Sequence, residues 1–426
     1  MKQQSLKIFS KEETGPYELP KGWRWVRLGD KDLFHIETGS TPKTDVKEYW
    51  QNGNIKWITP KDLGKLTNKF IFDTERKITQ DGLNSCSTTI IPKGSIIIST
   101  RAPIGHIAIC GDEMCFNQGC KGIVIKNKNQ VLNDFLYYVL LTKVKEMDAL
   151  GSGATFKEIS RKKLASIQIP LPPLPEQKRI VARIEALFSK IDEIKRLRKE
   201  ANDLAKTLLP SALHEVFSKA DEKGWRWVRL GEVCETLMGG TPRTNIKEYW
   251  SEPQIVWVTP EDIKKSILNK VRDSRRKISK KGLEESNAKL LPAGTVLLTT
   301  TATIGKVGIA EIDLTTNQQI TGIICPKDMF PIFLGYYLLF VGEENLKKLG
   351  GAVTATHINQ RNLRSIKIPL PFKDGKPDFD EQKHIVAYLD NIQQKAQTLQ
   401  KLQEETEMEI ERLRESILHK AFRGEL

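Results

Sequence analysis

Cysteine and histidine are both scarce, with six of each in 426 residues. Six cysteines (Cys86, Cys110, Cys115, Cys120, Cys234 and Cys325) are too sparse for a disulfide framework. So few histidines leave a metalloenzyme or nuclease to be argued from scattered carboxylates, and no spacing supports one. No His-Glu-x-x-His occurs, and the nearest approach to a Walker A loop, Thr300–Lys306, has Thr300 for the first glycine and Val307 for the magnesium-holding hydroxyl. Long apolar runs are also missing. Stretches such as Ile96–Ile98 fall far short of the roughly 20 residues of a membrane span. Met1–Lys21 is polar without an apolar core, so no secretion signal is expected and a reducing cytoplasm fits. Membrane, secreted and fibrous classes are excluded.

What is present is basic charge. Lys and Arg number 67 against 53 Asp and Glu, a net charge of +14, with a pI near 9.3. A basic chain of this kind favours a polyanionic partner, nucleic acid being the first candidate, although a solvated basic surface gives the same sum. Apolar residues at 39% are ordinary for a globular protein. The length allows two or three domains at about 150 residues each.

The chain is a duplication. GWRWVRLG stands at Gly22–Gly29 and again, unchanged, at Gly224–Gly231. Aligned without a gap at an offset of 200, Gly39–Gly122 matches Gly239–Gly322 at 30 of 84 positions. That is several times the roughly one in fifteen expected by chance. Ile167–Pro172 (IQIPLP) answers Ile366–Pro371 (IKIPLP), and Glu176-Gln177-Lys178 answers Glu381-Gln382-Lys383 after an insertion at Lys373–Asp380. The order is module, helix, module, helix: an N-terminal extension (1–21), a module (22–172), a helical spacer (173–220), a second module (221–371) and a second helical spacer (372–426).

Each module reads as α+β. Ile90–Thr100, Ile104–Ile109 and Gly122–Ile125 read as strands, and Asp134–Met147 and Pro331–Leu349 as amphipathic helices. The spacers carry a coiled-coil seam. Ile180, Ile184, Leu187, Ile191 and Ile194 step by four and three, continued by Ala201, Leu204 and Leu208; Ile385 to Ile417 repeats the pattern through Leu399, Leu402 and Leu413. Pro210 is expected to kink or break the first helix, and Glu415 stands at that place in the second. The two helices are expected to pack antiparallel, relating the modules by a pseudo-two-fold axis. At about 1.5 Å per residue, Ile180–Phe217 spans roughly 57 Å, more than the roughly 34–36 Å turn of duplex DNA. Such rods could hold two readers on one face of DNA with untouched base pairs between.

The chain resembles the specificity subunits of type I restriction–modification systems. The matching residues run from Trp23–Gly29 through Gly39–Pro42 and Gly239–Pro242, then Trp57–Pro60 with Asp62 and Trp257–Pro260 with Asp262. Ile104-Gly105, Ile304-Gly305, Asn117-Gln118, Asn317-Gln318, the Ile-Pro-Leu-Pro joints and the terminal Ala421–Leu426 complete the set. The resemblance implies two target-recognition domains, each reading half of a split sequence in double-stranded DNA, and two long helices that dock two adenine methyltransferase subunits. Two restriction/translocase subunits can join that complex. The subunit itself is expected to be no enzyme and to bind no cofactor or metal, with S-adenosylmethionine, ATP and magnesium on its partners. The absence of an Asn-Pro-Pro-Tyr or Asp-Pro-Pro-Tyr motif agrees. Similar modules predict half-sites that share bases in inverted orientation. The rivals are a self-contained DNA-modifying enzyme and a coiled-coil adaptor binding nucleic acid without sequence preference.

Candidate DNA contacts follow from turns and from differences between the copies. Lys43-Thr44 and Arg243-Thr244 follow the Gly-x-Thr-Pro turns and are placed for phosphate. Lys61 faces Glu261, Arg101 faces Thr301, Gly119 faces Gln319, and Lys157 faces Thr356 with His357 beside it. Arg101 is the candidate for a bidentate guanine contact, and Gln118, Gln318 or Gln319 for adenine. The alternative for each is a solvated surface side chain, and for Asn117 and Asn317 a turn former. The recurring tryptophans (Trp23, Trp25, Trp50, Trp57; Trp225, Trp227, Trp250, Trp257) could stack on bases, but duplex DNA exposes no base faces and module core is favoured. His106, Cys110, Cys115 and Cys120 could suggest zinc. Their counterparts Lys306, Ala310, Thr315 and Ile320 argue for buried thiols instead. The Gly-rich segments Gly151–Thr155 and Gly350–Thr354 could approach a phosphate or be plain loops.

Overall fold

A computed structural model describes residues 15–152, 157–351 and 356–426. The chain folds into two compact units, one comprising the residues through Arg196 together with Thr406–Leu426, the other Leu197–Glu405.

In the first unit the β-branched run at Ile96–Ser99 forms the centre of a five-stranded sheet. The order is Phe34–Thr38, Cys120–Ile125, Ile96–Ser99, Ile107–Cys110 and Phe70–Ile71, antiparallel except for the last pair. Alternation along that central strand divides two cores. Ile96 and Ile98 face Phe135, Leu136, Val139 and Leu140 of the helix Asn133–Leu141, while Ile97 faces Ile58, Leu63, Phe116, Cys110 and Cys120. A three-stranded sheet covers the second face: Arg76–Ile78, Ile55–Ile58 and Cys115–Phe116. Arg24–Arg27 pairs with Gln168–Leu171, so the GWRWVRLG and IPLP segments close the module on itself.

The second unit repeats this register for register. Val296 lies opposite Ile309 and Ile323 as Ile96 lies opposite Ile109 and Ile123, and Trp257 pairs with Arg276 and Thr315 as Trp57 pairs with Arg76 and Cys115. Val296 and Leu298 face the helix Pro331–Leu349, and Leu297 the other core. That helix carries a non-helical Gly342 (φ 72°); the first module instead has two helices, Asn133–Leu141 and Val144–Leu150. The strand expected over Ile104–Ile109 begins only at Ile107, because Gly105 (φ 97°) turns the chain and donates its N–H to Ser99 O at 3.0 Å.

Two long helices follow the modules, Leu174–Phe217 and Phe379–Arg423. Each is clasped by the buried glutamine of its Glu-Gln-Lys motif. Gln177 accepts from Leu132 N (2.9 Å) and donates to Gln130 O (2.7 Å) and Pro172 O (2.9 Å); Gln382 accepts from Phe330 N (2.8 Å) and donates to Asp328 O (3.2 Å). In the first unit Asp192 pairs with Arg414 and Lys195 with Glu411, and Arg179 donates to Leu426 O at 2.8 Å, so the two segments run antiparallel there. In the second unit Tyr388 OH donates to Glu215 at 3.2 Å, and Arg198 meets Gln403 O.

Two expectations about these helices are corrected. Pro210 does not break the first helix, which runs unbroken from Leu174 to Phe217. Pro210 is exposed, so the carbonyl deprived of its usual donor has access to water. The seam also departs from the predicted one. Ile180, Ile184 and Ile191 are buried, but Leu204 is 67% exposed and Ile194, Leu208, Leu399, Leu402 and Leu413 also face solvent. In the second unit the buried positions are Ala205, Leu209, Ala212, Leu213 and Val216, packed with Ile385, Val386 and Leu389 beside the module core. A three-four spacing marks an apolar stripe but not which part of it another element covers.

Candidate nucleic-acid interface

Indole donors build the first loop of each module. A Cβ on Gly39 would lie 2.2 Å from Phe116 O, and one on Gly239 2.2 Å from Thr316 Oγ1, so only glycine lets the Gly-x-Thr-Pro turn lie against that strand end. Trp57 Nε1 then donates to Ser40 O at 3.1 Å and Trp50 Nε1 to Lys43 O at 3.0 Å. In the second copy Trp257 donates to Gly240 O at 3.0 Å and Trp250 to Arg243 O at 3.2 Å. The two rings of each pair meet edge to face, 5.0 Å apart in the first copy and 5.1 Å in the second. The Arg76 guanidinium lies 3.7 Å over Trp50, and that of Arg276 3.9 Å over Trp250. Lys43, Thr44, Arg243 and Thr244 are therefore exposed on turns held at two carbonyls. Trp57, Trp257, Trp25 and Trp225 are buried, whereas Trp227 is 43% exposed and donates to Asp221 at 2.6 Å.

The second loop joins the first. Asn117 Oδ1 accepts from Gly119 N at 3.0 Å, and Asn317 Oδ1 from Gln319 N at 3.1 Å, which makes both asparagines turn formers. The Thr41 hydroxyl donates to Gln118 Oε1 and that of Thr241 to Gln318 Oε1, so Gln118 and Gln318 sit directly beside the Gly-x-Thr-Pro turns. Gln318 is exposed, Gln118 half-buried, and Gln319 accepts from Asn317 Nδ2 at 3.0 Å.

A third segment completes the group. Thr100 N and Arg101 N both donate to Gly119 O, at 2.7 and 3.2 Å, and Thr100 O accepts from Ile159 N at 2.9 Å. Arg101 thereby lies across from Glu158, and Thr301, where Thr300 N donates to Gln319 O at 2.8 Å and Thr300 O accepts from Ile358 N at 2.9 Å, across from His357. In the first module Arg101 Nε donates to Glu158 Oε2 at 2.7 Å, and Glu158 Oε1 takes the buried Lys121 Nζ at 3.4 Å. In the second, Thr301 Oγ1 and His357 Nδ1 are 2.8 Å apart, and Thr321, in place of Lys121, bonds Gln360 Nε2 at 3.0 Å. The structure thus assembles Lys43, Thr44, Gln118 and Arg101 around Thr41, and Arg243, Thr244, Gln318, Gln319, Thr301 and His357 around Thr241.

Lys61 and Lys157 stand beside this group and are occupied. Lys157 Nζ bonds Asp148 at 2.6 Å, while Lys61 and Lys65 share Glu75 at 3.0 and 2.7 Å. The hydrogen bonds from Lys65 and Lys61 pull the Glu75 carboxyl down to about 2. Asp62 and Asp262, the acidic residues of the Trp-x-Thr-Pro motifs, are structural. Asp62 Oδ2 accepts from Thr59 N at 2.9 Å and its Oδ1 from Glu75 N at 3.0 Å; Asp262 does the same with Thr259 N (2.8 Å) and Arg275 N (3.1 Å).

Among the described residues no group of three His, Cys, Asp or Glu side chains could hold a metal ion. Cys110 and Cys120 lie in one apolar core and Cys115 in another. Burial pushes the Cys110 and Cys115 thiols up to about 12, away from the thiolate a metal needs. Cys115 Sγ donates to Lys56 O at 3.4 Å, and in the second copy Thr315 Oγ1 makes the matching bond to Val256 O at 3.1 Å. Of the Gly-rich segments, 153–155 and 352–354 lie outside the described residues. Sequence reasoning missed Glu158, Lys121 and the Thr41–Gln118 bond. The signal for the first stood in the match of Lys157 to Thr356, which places Glu158 opposite His357 at the same offset of 199.

The profile of the type I restriction modification DNA specificity domain matches this chain twice, over residues 20–203 and 222–409. The chain is 33% identical over 273 residues to the type I restriction enzyme MjaIX specificity subunit of Methanocaldococcus jannaschii, a match covering 60% of this chain and 61% of that protein. The match therefore spans less than two thirds of that relative's length. Among solved structures, the HsdS subunit from Thermoanaerobacter tengcongensis aligns at 28% identity and a TM-score of 0.67, covering 97% of this chain and 99% of that one. A chain from a structure concerned with complex assembly and conformational transition of the type I R-M system aligns at 29% identity and a TM-score of 0.72, over 96% of this chain and all of that one.

Proposed function

The chain belongs to the type I restriction modification DNA specificity family, and we propose that it is a sequence-specific DNA-binding specificity subunit that reads a bipartite target, one half with each module. The observation that carries this reading is the contrast within the duplication. The tryptophan-pinned turns and strand register repeat, while the side chains projecting beside them differ: Arg101 and Glu158 in one copy, Thr301 and His357 in the other. A shared frame with different polar edges is what two readers of different bases need.

In this reading the chain performs no chemistry. The two long helices dock two adenine methyltransferase subunits, and restriction/translocase subunits can join them in the cytoplasm. S-adenosylmethionine, ATP and magnesium belong to those partners. Lys43, Thr44, Arg243 and Thr244 contact phosphates; Arg101, Gln118, Thr301, Gln318, Gln319 and His357 face base edges, with Lys61 and Lys157, which differ between the copies, beside them.

The test is a genome-wide map of methyladenine by long-read sequencing, with and without the gene. Loss of one split motif on deletion supports the reading and gives both half-sites and the spacer. A purified chain that binds all duplexes equally, with a salt dependence accounted for by phosphate contacts alone, counts against it.

A further inference from the structure

The geometry points to Glu158 as the positioning residue that aims Arg101 at a guanine of the first half-site, a task that falls to the Thr301–His357 pair in the second module. This rests on the reading of the chain as a two-module DNA reader.

Free arginine side chains on a surface sample many rotamers, and each contact they make must first pay for ordering them. Arg101 is already ordered. Its Nε donates to Glu158 Oε2 at 2.7 Å, and its backbone is tied through Gly119 O to the loop that presents Gln118. With Nε engaged, the far edge of the guanidinium, Nη1 and Nη2, has no partner among the described residues, although the side chain is 42% exposed. Two parallel N–H donors at that edge match the O6 and N7 acceptors of guanine in the major groove.

The carboxylate is itself fixed from behind. Lys121 is 4% exposed and places its Nζ 3.4 Å from Glu158 Oε1, from Thr100 Oγ1 and from Gln118 O. A buried ammonium needs a compensating charge, and among the described residues Glu158 is the carboxylate paired with it. The chain of contacts Lys121–Glu158–Arg101 thus runs from the buried strand Cys120–Ile125 outward to the exposed fork. Net charge over the three groups is +1, so the fork remains attractive to an acceptor-rich groove.

The second copy makes the corresponding connection without a carboxylate or a lysine. Thr301 Oγ1 lies 2.8 Å from His357 Nδ1, which fixes the imidazole, and Nε2 has no partner among the described residues. Thr321 and Gln360, bonded at 3.0 Å, stand where Lys121 and Arg161 stand in the first copy. All three ionic groups of the first module are replaced together, which is the pattern of one working unit.

The experiment uses the full chain and duplexes bearing its methylation target, with 7-deazaguanine placed at each guanine of the first half-site in turn. Wild type is expected to lose affinity at one guanine by about three- to thirtyfold, since 7-deazaguanine removes the N7 acceptor and keeps O6, one of the two bonds of a bidentate contact. Arg101→Ala removes sensitivity at that guanine. Glu158→Gln reduces it several-fold and has no further effect in the Arg101→Ala background, and both leave the second half-site unchanged. Because Glu158→Gln strands the buried lysine, Glu158→Gln combined with Lys121→Met is measured beside it, with Tm recorded. Loss of affinity spread over all positions, additive effects of the two substitutions, or a half-site insensitive to every 7-deazaguanine overturns the proposal. A wild-type chain without sequence preference instead overturns the reading beneath it.

Discussion

Glu261 and Arg275 meet at 2.8 Å at the positions where the first module pairs Lys61 with Glu75 at 3.0 Å, so one ion pair occurs twice with its charges exchanged. The frame around it is unchanged: Asp62 and Asp262 each cap their own Thr-Pro turn and accept from residue 75 or 275. The fold therefore asks for opposite charges here, not for a particular sign. The pair is well exposed in both copies and each is worth about 1 kcal/mol at most.

Exchanging the charges of the first pair tests this directly. Lys61→Glu and Glu75→Arg alone are each expected to cost under about 1 kcal/mol in denaturant titrations, and together to restore most of that loss. If Lys61 also contacts a phosphate, Lys61→Glu lowers the slope of log affinity against log salt by about one, uniformly across duplex sequences. A double variant no more stable than the sum of the singles would remove the pairing argument.

The buried thiols predict an alkaline weakness. In the folded chain Cys110 and Cys115 are pushed up to about 12 by burial, against about 9 for a free thiol. A folded pKa above the unfolded one means that unfolding releases protons as pH rises. The contribution is intact below about pH 9 and is lost progressively between about 9 and 12, by about 1.4 kcal/mol per thiol at pH 10. Replacing them with the second copy's own side chains, Cys110→Ala and Cys115→Thr, is expected to flatten stability between pH 8 and 10.5. Cys115→Thr alone should be nearly neutral at pH 7, since Thr315 already makes the matching bond to the strand carbonyl. A pH dependence identical to wild type would show that the thiols do not set it.

Gln177 is predicted to be a stability residue. It is fully buried and satisfies Leu132 N, Gln130 O and Pro172 O at once. Gln177→Leu keeps the volume and strands these backbone groups, at a cost of about 2–4 kcal/mol. Gln382→Leu is expected to do the same in the second unit, where Phe330 N and Asp328 O are the partners. Thermal unfolding of the two variants, with far-UV circular dichroism as the probe, checks both.

How much of this could be read beforehand depends on how far apart the partners lie in sequence. The duplication, the strands around Ile96 and Val296 and the Asn117 and Asn317 turns are local patterns, and the structure has them. The match of Lys157 to Thr356 sets Glu158 opposite His357, but its role is not legible there because its partner Arg101 lies 57 residues away in sequence. The Thr41–Gln118 bond joins residues 77 apart in sequence, and no local spacing announces it. The helix seam misled for a related reason: Leu204 and Leu208 continue the period, yet burial depends on what lies opposite, and the buried face there is Ala205 and Leu209.

Trp50 separates two uses of a recurring aromatic. If its ring stacked on a base, Phe would preserve most of the effect, because the π-face is kept. If it serves to pin the turn, the essential atom is Nε1, which donates to Lys43 O at 3.0 Å, and Phe removes it while leaving a ring beneath Arg76. Trp50→Phe is therefore expected to cost only about 0.5–1.5 kcal/mol of stability, the net worth of one such bond. The freed turn should weaken binding to the target several-fold through Lys43 and Thr44, with the loss confined to contacts with the first half-site. Trp250→Phe should produce the same loss at the second half-site, where Arg243 O takes the indole N–H at 3.2 Å. Affinities for duplexes altered in one half at a time distinguish the two outcomes. Unchanged binding by both variants would rule out the pinning role, since both stacking and plain packing survive the exchange for Phe.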